Sequence, residues 1–147
     1  MLRIPLAARA FGDALFPQVA VGDAFARAWL AAIGDDGRQW LDDLPSVYGV
    51  LARTRILRER AAAYLAQHPT GQVVVLGCGL SHYFQWLDNG RCHLIEADLQ
   101  EVVDIRRSLP VPTGPRQTLA VMDLRRPGWW DRLGLASRRG GLPVFLM

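Results

Sequence analysis

The chain has 147 residues, half of them hydrophobic and a fifth charged, which is enough for one domain with a core and excludes a disordered composition. All 17 basic residues are arginine, so Schiff-base and general-base lysine chemistry is closed to it. The pI near 9.4 suggests a nucleic-acid partner, but the arginines are scattered among 14 acidic residues for a net charge of only +3, which argues against one.

The opening segment, MLRIPLAARAFGDALF, is interrupted by Arg9 and Asp13 and makes a poor signal-peptide core. No apolar run approaches a membrane span. The N-terminal third reads as helical. From Asp23 to Gly34 the residues Phe25, Trp29 and Ile33 recur at helical spacing on one face. Asp35 to Asp43 reads as a polar loop with Trp40 and Leu41 tucked inward. A longer helix is expected after Pro45, capped by Ser46 and ending near Gln67, because Pro69 forbids more. Its apolar positions Leu51, Leu57, Ala61 and Leu65 leave Arg53, Arg55, Arg58 and Arg60 on other faces.

The period then changes. Gln72 to Leu76 contains three consecutive valines, which suits a strand covered on both sides. Gly77-Cys78-Gly79 follows as a turn into a short aromatic helix, and Asn89-Gly90 signals another turn. Cys92 to Glu96 is the second strand and Leu99 to Ser108 a helix. Pro110, Pro112, Gly114 and Pro115 stiffen a loop before a third strand, Gln117 to Met122. A short helix, Trp129 to Leu135, and a fourth strand, Pro143 to Met147, complete the order. Strands alternating with helices imply a parallel sheet with right-handed crossovers. The segments divide into an N-terminal helical cap, 1–70, and a sheet portion, 71–147. An uncovered fourth strand is an edge at which another copy is expected to pair.

Cys78 and Cys92 fall at opposite ends of neighbouring strands, roughly 15 Å apart at ~3.3 Å per residue. That exceeds the ~7 Å reach of a disulfide. Two free thiols and a cytoplasmic location are expected. The arginine pairs 106–107, 125–126 and 138–139 read as solvated faces.

Glycines after a strand let the backbone turn sharply and approach a ligand without a Cβ clash. Gly77-Cys78-Gly79 alone is a weak signal, and the dinucleotide fingerprint would need a third glycine where His82 stands. His82 is expected at the mouth of the crevice, and His93 as a structural residue on a strand. Glu96 or Asp98, at the end of the second strand, is placed to accept hydrogen bonds from both hydroxyls of a ribose. Asp98 also immediately precedes a helix and suits a cap. Asp123-Leu124 follows the third strand, where an acid can meet an adenine amino group and a leucine can pack on its ring. Arg53 reads by itself as a solvated helix arginine. Over the crevice it would hold a carboxylate in a forked pair. No histidine, cysteine and carboxylate spacing makes a metal set. No catalytic nucleophile stands out, and Trp129-Trp130 reads as core and helix-start packing.

Taken in order, Asp13-Ala-Leu-Phe, Asp23-Ala-Phe-Ala, Ala52-Arg-Thr-Arg, Gln72-Val-Val-Val-Leu-Gly-Cys-Gly-Leu, Phe84-Gln-Trp-Leu, Glu96-Ala-Asp-Leu-Gln-Glu-Val-Val and Met122-Asp-Leu-Arg-Arg-Pro-Gly-Trp-Trp resemble the leucine carboxyl methyltransferase family, which includes polyketide-synthesis O-methyltransferases. The resemblance implies a Rossmann-like α/β fold with strand order 3-2-1-4 and S-adenosylmethionine as cofactor. It implies that Arg53 binds the methionine carboxylate and that Gly77 and Gly79 lie against the methionyl part. Asp98 would take the ribose hydroxyls, and Asp123 with Leu124 would frame the adenine. The methyl acceptor would be a carboxyl or hydroxyl, on a small molecule or a protein C-terminus. The chain departs from the family pattern at Leu80-Ser81-His82, where members carry Asp-Thr after a small apolar residue, and it lacks the N-terminal lysine that some members use. Members also continue past the fourth strand, so the chain is expected to represent the cofactor-binding half, with a non-catalytic interaction module as the alternative.

Overall fold

The computed structural model describes residues 2–111, 114–134 and 143–147. Its elements are α1 (Arg3–Leu15), α2 (Ala26–Ala32), α3 (Leu44–Gln67), β1 (Gln72–Leu76), α4 (Phe84–Leu87), β2 (His93–Asp98), α5 (Gln100–Ser108), β3 (Gln117–Val121), α6 (Trp129–Arg132) and β4 (Val144–Leu146), with 3-10 turns at Pro17–Val19 and Arg38–Trp40. The four strands form one parallel sheet in the order β3-β2-β1-β4. The parallel α/β sheet is as the strand–helix alternation indicated, and its Rossmann-like order is the one the family resemblance implied.

The valine run explains why β1 is central. Val73 and Val75 face the α3 side, packing with Ala61, Leu65, Tyr83 and Leu94, while Val74 faces the opposite side with Ile95, Ala120 and Leu133. Burying each valine contributes about 1.5–3 kcal/mol. In register, Val75 lies beside Glu96 and Leu76 beside Ala97, so β1 and β2 finish together and the chain leaves both at one edge. That edge is where the site forms.

The helices build a second core. Leu6, Ala7 and Ala10 of α1 meet Trp29 and Leu30 of α2, with Phe25 and Ile33 half-buried around them. The i, i+4, i+8 face is thus seated as its spacing indicated. Trp40 and Leu41 tuck against the same cluster.

The cap of α3 differs from expectation. Asp43, not Ser46, is the N-cap residue: its carboxylate accepts from the Ser46 N–H at 3.3 Å and from the Ser46 hydroxyl at 2.5 Å. Pro45 falls within the first turn, where its missing N–H costs nothing. Asn89 closes its turn by accepting from the backbone N–H groups of Arg91 and Cys92. Cys78 and Cys92 are buried free thiols.

β4 is an edge strand, bonded to β1 on one side, with Leu146 exposed. Trp129 starts α6 as expected and is half-buried, while Trp130 is exposed and packs edge-on against Trp129, so the pair supplies the helix start and not a core cluster. The expected helix end at Leu135, Pro112 and the Arg138–Arg139 pair lie outside the described residues. No helix among the described residues is long and apolar enough to cross a membrane.

Candidate functional site

β1 ends and Gly77 turns the chain with φ +65°; Gly79 turns it again with φ +54°. Both lie in the left-handed region that favours glycine. The Gly77 and Cys78 N–H groups bond to the Ala97 carbonyl at 2.9 and 3.2 Å, which ties this turn to the end of β2. A Cβ at Gly77 would meet no protein atom within 4 Å. The backbone there borders open space on both sides.

Two cavities meet at Gly77. The larger, about 550 Å³, has an apolar floor of Leu57, Val75 and Leu76, with Gly79 and Ser81 in its wall and Arg53 and Tyr83 among its polar lining. The smaller, about 200 Å³, is lined by Asp98, Met122, Asp123, Leu124 and Arg125. The six residues singled out from the sequence therefore line two cavities that share Gly77, the two halves of a candidate crevice. Arg53, Gly77 and Gly79 belong to the larger cavity, and Asp98, Asp123 and Leu124 to the smaller, with Gly77 in both.

Arg53 is exposed on α3 and makes no side-chain hydrogen bond or ion pair among the described residues. Its donors are free for a ligand. Asp98 is held differently. Its Oδ2 accepts from the Gly79 N–H at 2.7 Å and its Oδ1 from the Leu99 N–H at 2.8 Å, while Leu99 is the N-cap of α5 and Asp98 is not. Each carboxylate oxygen retains a lone pair for a further donor. Asp123 is gripped by Arg125 through Nε and Nη2, both at 2.9 Å. The Arg125 side chain, then its backbone N–H, holds the Asp123 carboxyl down at about 2.

Glu96, the other acid considered for the ribose, is excluded from the crevice. It is fully buried, with Oε1 accepting from the Tyr83 N–H at 2.9 Å and Oε2 from Arg106 at 2.7 Å and Gln117 at 2.9 Å. Burial alone would push its carboxyl up, but His82, Arg106 and Gln117 together outweigh that and leave it below its ordinary value. His82 belongs to this buried group as well. It packs against Phe25, Trp29 and Phe84, with Nδ1 3.2 Å from Gln117 Nε2, and it lines neither half of the crevice. The expectation that it stands at the mouth is corrected: a ring among three aromatics is drawn inward.

The reading of a solvated face is corrected at Arg106, which is buried against Glu96; Arg9 is also buried, against Asp23 at 2.9 Å. Arg107, Arg125 and Arg126 are exposed, as read. Burial raises the Cys78 thiol to about 12 despite nearby Arg106, so it is a neutral thiol and no nucleophile at neutral pH. Among the described residues no three His, Cys, Asp or Glu side chains cluster as metal ligands would.

A family model described as leucine carboxyl methyltransferase matches residues 6–146. The chain belongs to the leucine carboxyl methyltransferase family, whose members are methyltransferases. Comparison with curated proteins gives no match.

Proposed function

We propose that the crevice binds S-adenosylmethionine and that the chain serves S-adenosylmethionine-dependent O-methyl transfer to a carboxyl or hydroxyl oxygen. The observation that carries this reading is the joint at Gly77. An elongated ligand can cross the glycine backbone, with one end beside the unpaired Arg53 and the other beside Asp98, Asp123 and Leu124. The residues fit the group. Arg53 offers a charged fork for an amino-acid carboxylate, Asp98 offers lone pairs to two ribose hydroxyls, and Leu124 offers apolar contact to a base. Half-exposed Leu124 has area to contribute.

When bound, the cofactor would supply an electrophilic methyl on a sulfonium sulfur, for in-line transfer to an acceptor oxygen with the neutral thioether as leaving group. The protein's part is to bind, orient and exclude water, which can account for much of such a rate enhancement without a covalent residue. The apolar floor of Leu57, Val75 and Leu76 excludes water beside Gly77. No residue is assigned to proton transfer. The acceptor is proposed only by class, a small molecule or a protein carboxylate.

Isothermal titration with S-adenosylhomocysteine tests the reading. Saturable binding at sub-millimolar concentration is expected. No heat at millimolar ligand would sink it.

A further inference from the structure

Three successive carbonyls of the loop between β1 and α4 are taken by buried arginines. Arg106 Nη1 donates to Gly79 O at 3.3 Å and also to Ser81 O, and Arg9 Nη2 donates to Leu80 O at 2.6 Å. Arg106 rests on Glu96 through Nη2 at 2.7 Å and lies over the Trp29 ring, 4.9 Å from its centroid. Both partners are almost wholly buried.

Stability does not account for this arrangement by itself. Burying two charges has a large desolvation penalty, and apolar residues of similar volume commonly do as well or better. What apolar residues lack is donors. Arg106 fixes the carbonyls on either side of Leu80, and so fixes the backbone on which the Gly79 N–H is mounted. That N–H is the one that holds Asp98. A chain of contacts thus runs from Glu96 through Arg106 to Gly79 and on to Asp98.

We propose that Arg106, seated on Glu96, is a positioning residue for the ligand crevice: it sets the Gly79–Ser81 backbone and, through the Gly79 N–H, the direction of the Asp98 carboxylate. This rests on the cofactor reading above. Arg106 itself lines neither half of the crevice, so its influence must pass through the loop.

The test uses the full chain and S-adenosylhomocysteine, with affinity by calorimetry and Gly79 amide exchange by mass spectrometry or NMR. Arg106→Lys keeps a charge and three donors, and its Kd is expected within roughly threefold of the parent. The double variant Glu96→Gln, Arg106→Met removes both buried charges. It should fold with a lower Tm, because the Gly79 and Ser81 carbonyls lose their donor, weaken binding by roughly tenfold or more and speed Gly79 exchange, as loss of an ordering hydrogen bond implies. A folded double variant with Kd and exchange unchanged overturns the proposal. If the double variant does not fold, Glu96→Gln alone decides: weakened binding supports the positioning role and unchanged binding overturns it. A parent chain that fails to bind sinks the cofactor reading itself, whereas a binding parent with an indifferent variant sinks only this inference.

Discussion

The Gly79 N–H donates to Asp98 Oδ2 at 2.7 Å, which makes the glycine turn after β1 and the acid that ends β2 one hydrogen-bonded unit. Two strand ends that the chain separates by 19 residues are locked edge to edge. The acid is therefore oriented before any ligand arrives, and preorganisation of this kind lowers the entropy that binding must offset.

Asp98→Ala should weaken S-adenosylhomocysteine binding by roughly tenfold or more, since charge-assisted hydrogen bonds contribute about 1.5–3 kcal/mol. Calorimetry measures this directly. An unchanged Kd would remove the ribose assignment.

Arg53→Ala should separate affinity from stability. The side chain is exposed and lacks an ion pair among the described residues, so urea denaturation should move by less than about 0.5 kcal/mol. Affinity for S-adenosylhomocysteine should fall, while affinity for adenosine, which has no carboxylate, should not. An equal loss for both ligands would mean that Arg53 acts on something other than the amino-acid end.

Gly77→Ala probes the joint. Its φ of +65° disfavours any Cβ, at a cost of order 1–2 kcal/mol. No protein atom would be struck, because nothing lies within 4 Å of the added carbon. The fold should therefore survive while the methyl group narrows the passage between the cavities. Binding is expected to fall by a larger factor than stability alone explains, read from paired calorimetry and melting curves.

What the sequence made legible follows from what periodicity reports. β1 emerged from Val73 to Val75, and the glycine turn, the acid at the end of β2 and the acid after β3 followed from their places at strand ends. Arg9 and Arg106 were not legible in the same way, because an arginine on a helix is ordinarily a solvated one. A signal existed nonetheless. Arg106 follows Val103 by three positions on α5, and these two are the buried residues of that helix. Arg9 sits inside the buried run Leu6 to Ala10 of α1. A charge on the apolar face of a helix implies a buried partner, but the partners, Glu96 and Asp23, come from distant elements that no local pattern names. His82 was misplaced for the same reason, since its aromatic neighbours Phe25 and Trp29 lie far upstream.

Cys78 should resist alkylation at pH 8, because its thiol is pushed up to about 12 by burial. A folded-state value raised above the ordinary 9.0 contributes stability that is complete below about pH 9 and lost as pH climbs toward 12. Iodoacetamide labelling read by mass spectrometry should thus track global unfolding. Rapid modification of Cys78 in the folded chain at pH 8 would contradict the burial.

Arg9 offers the sharpest test of the helical cap. Its Nε pairs with Asp23 Oδ2 at 2.9 Å, and both side chains are 2% exposed. Asp23 also accepts from the backbone N–H groups of Phe25 and Ala26 and from Gln85, so one acid joins α1, α2 and α4. Arg9→Met would leave that carboxylate buried without its cation, which typically costs about 3–5 kcal/mol. The Leu80 carbonyl would lose its donor too. Combining Arg9→Met with Asp23→Asn removes both charges and should recover part of the loss, because no uncompensated ion remains. Urea denaturation of the single and double variants measures the difference. A double variant no more stable than Arg9→Met alone would show that the pair matters for packing and not for charge.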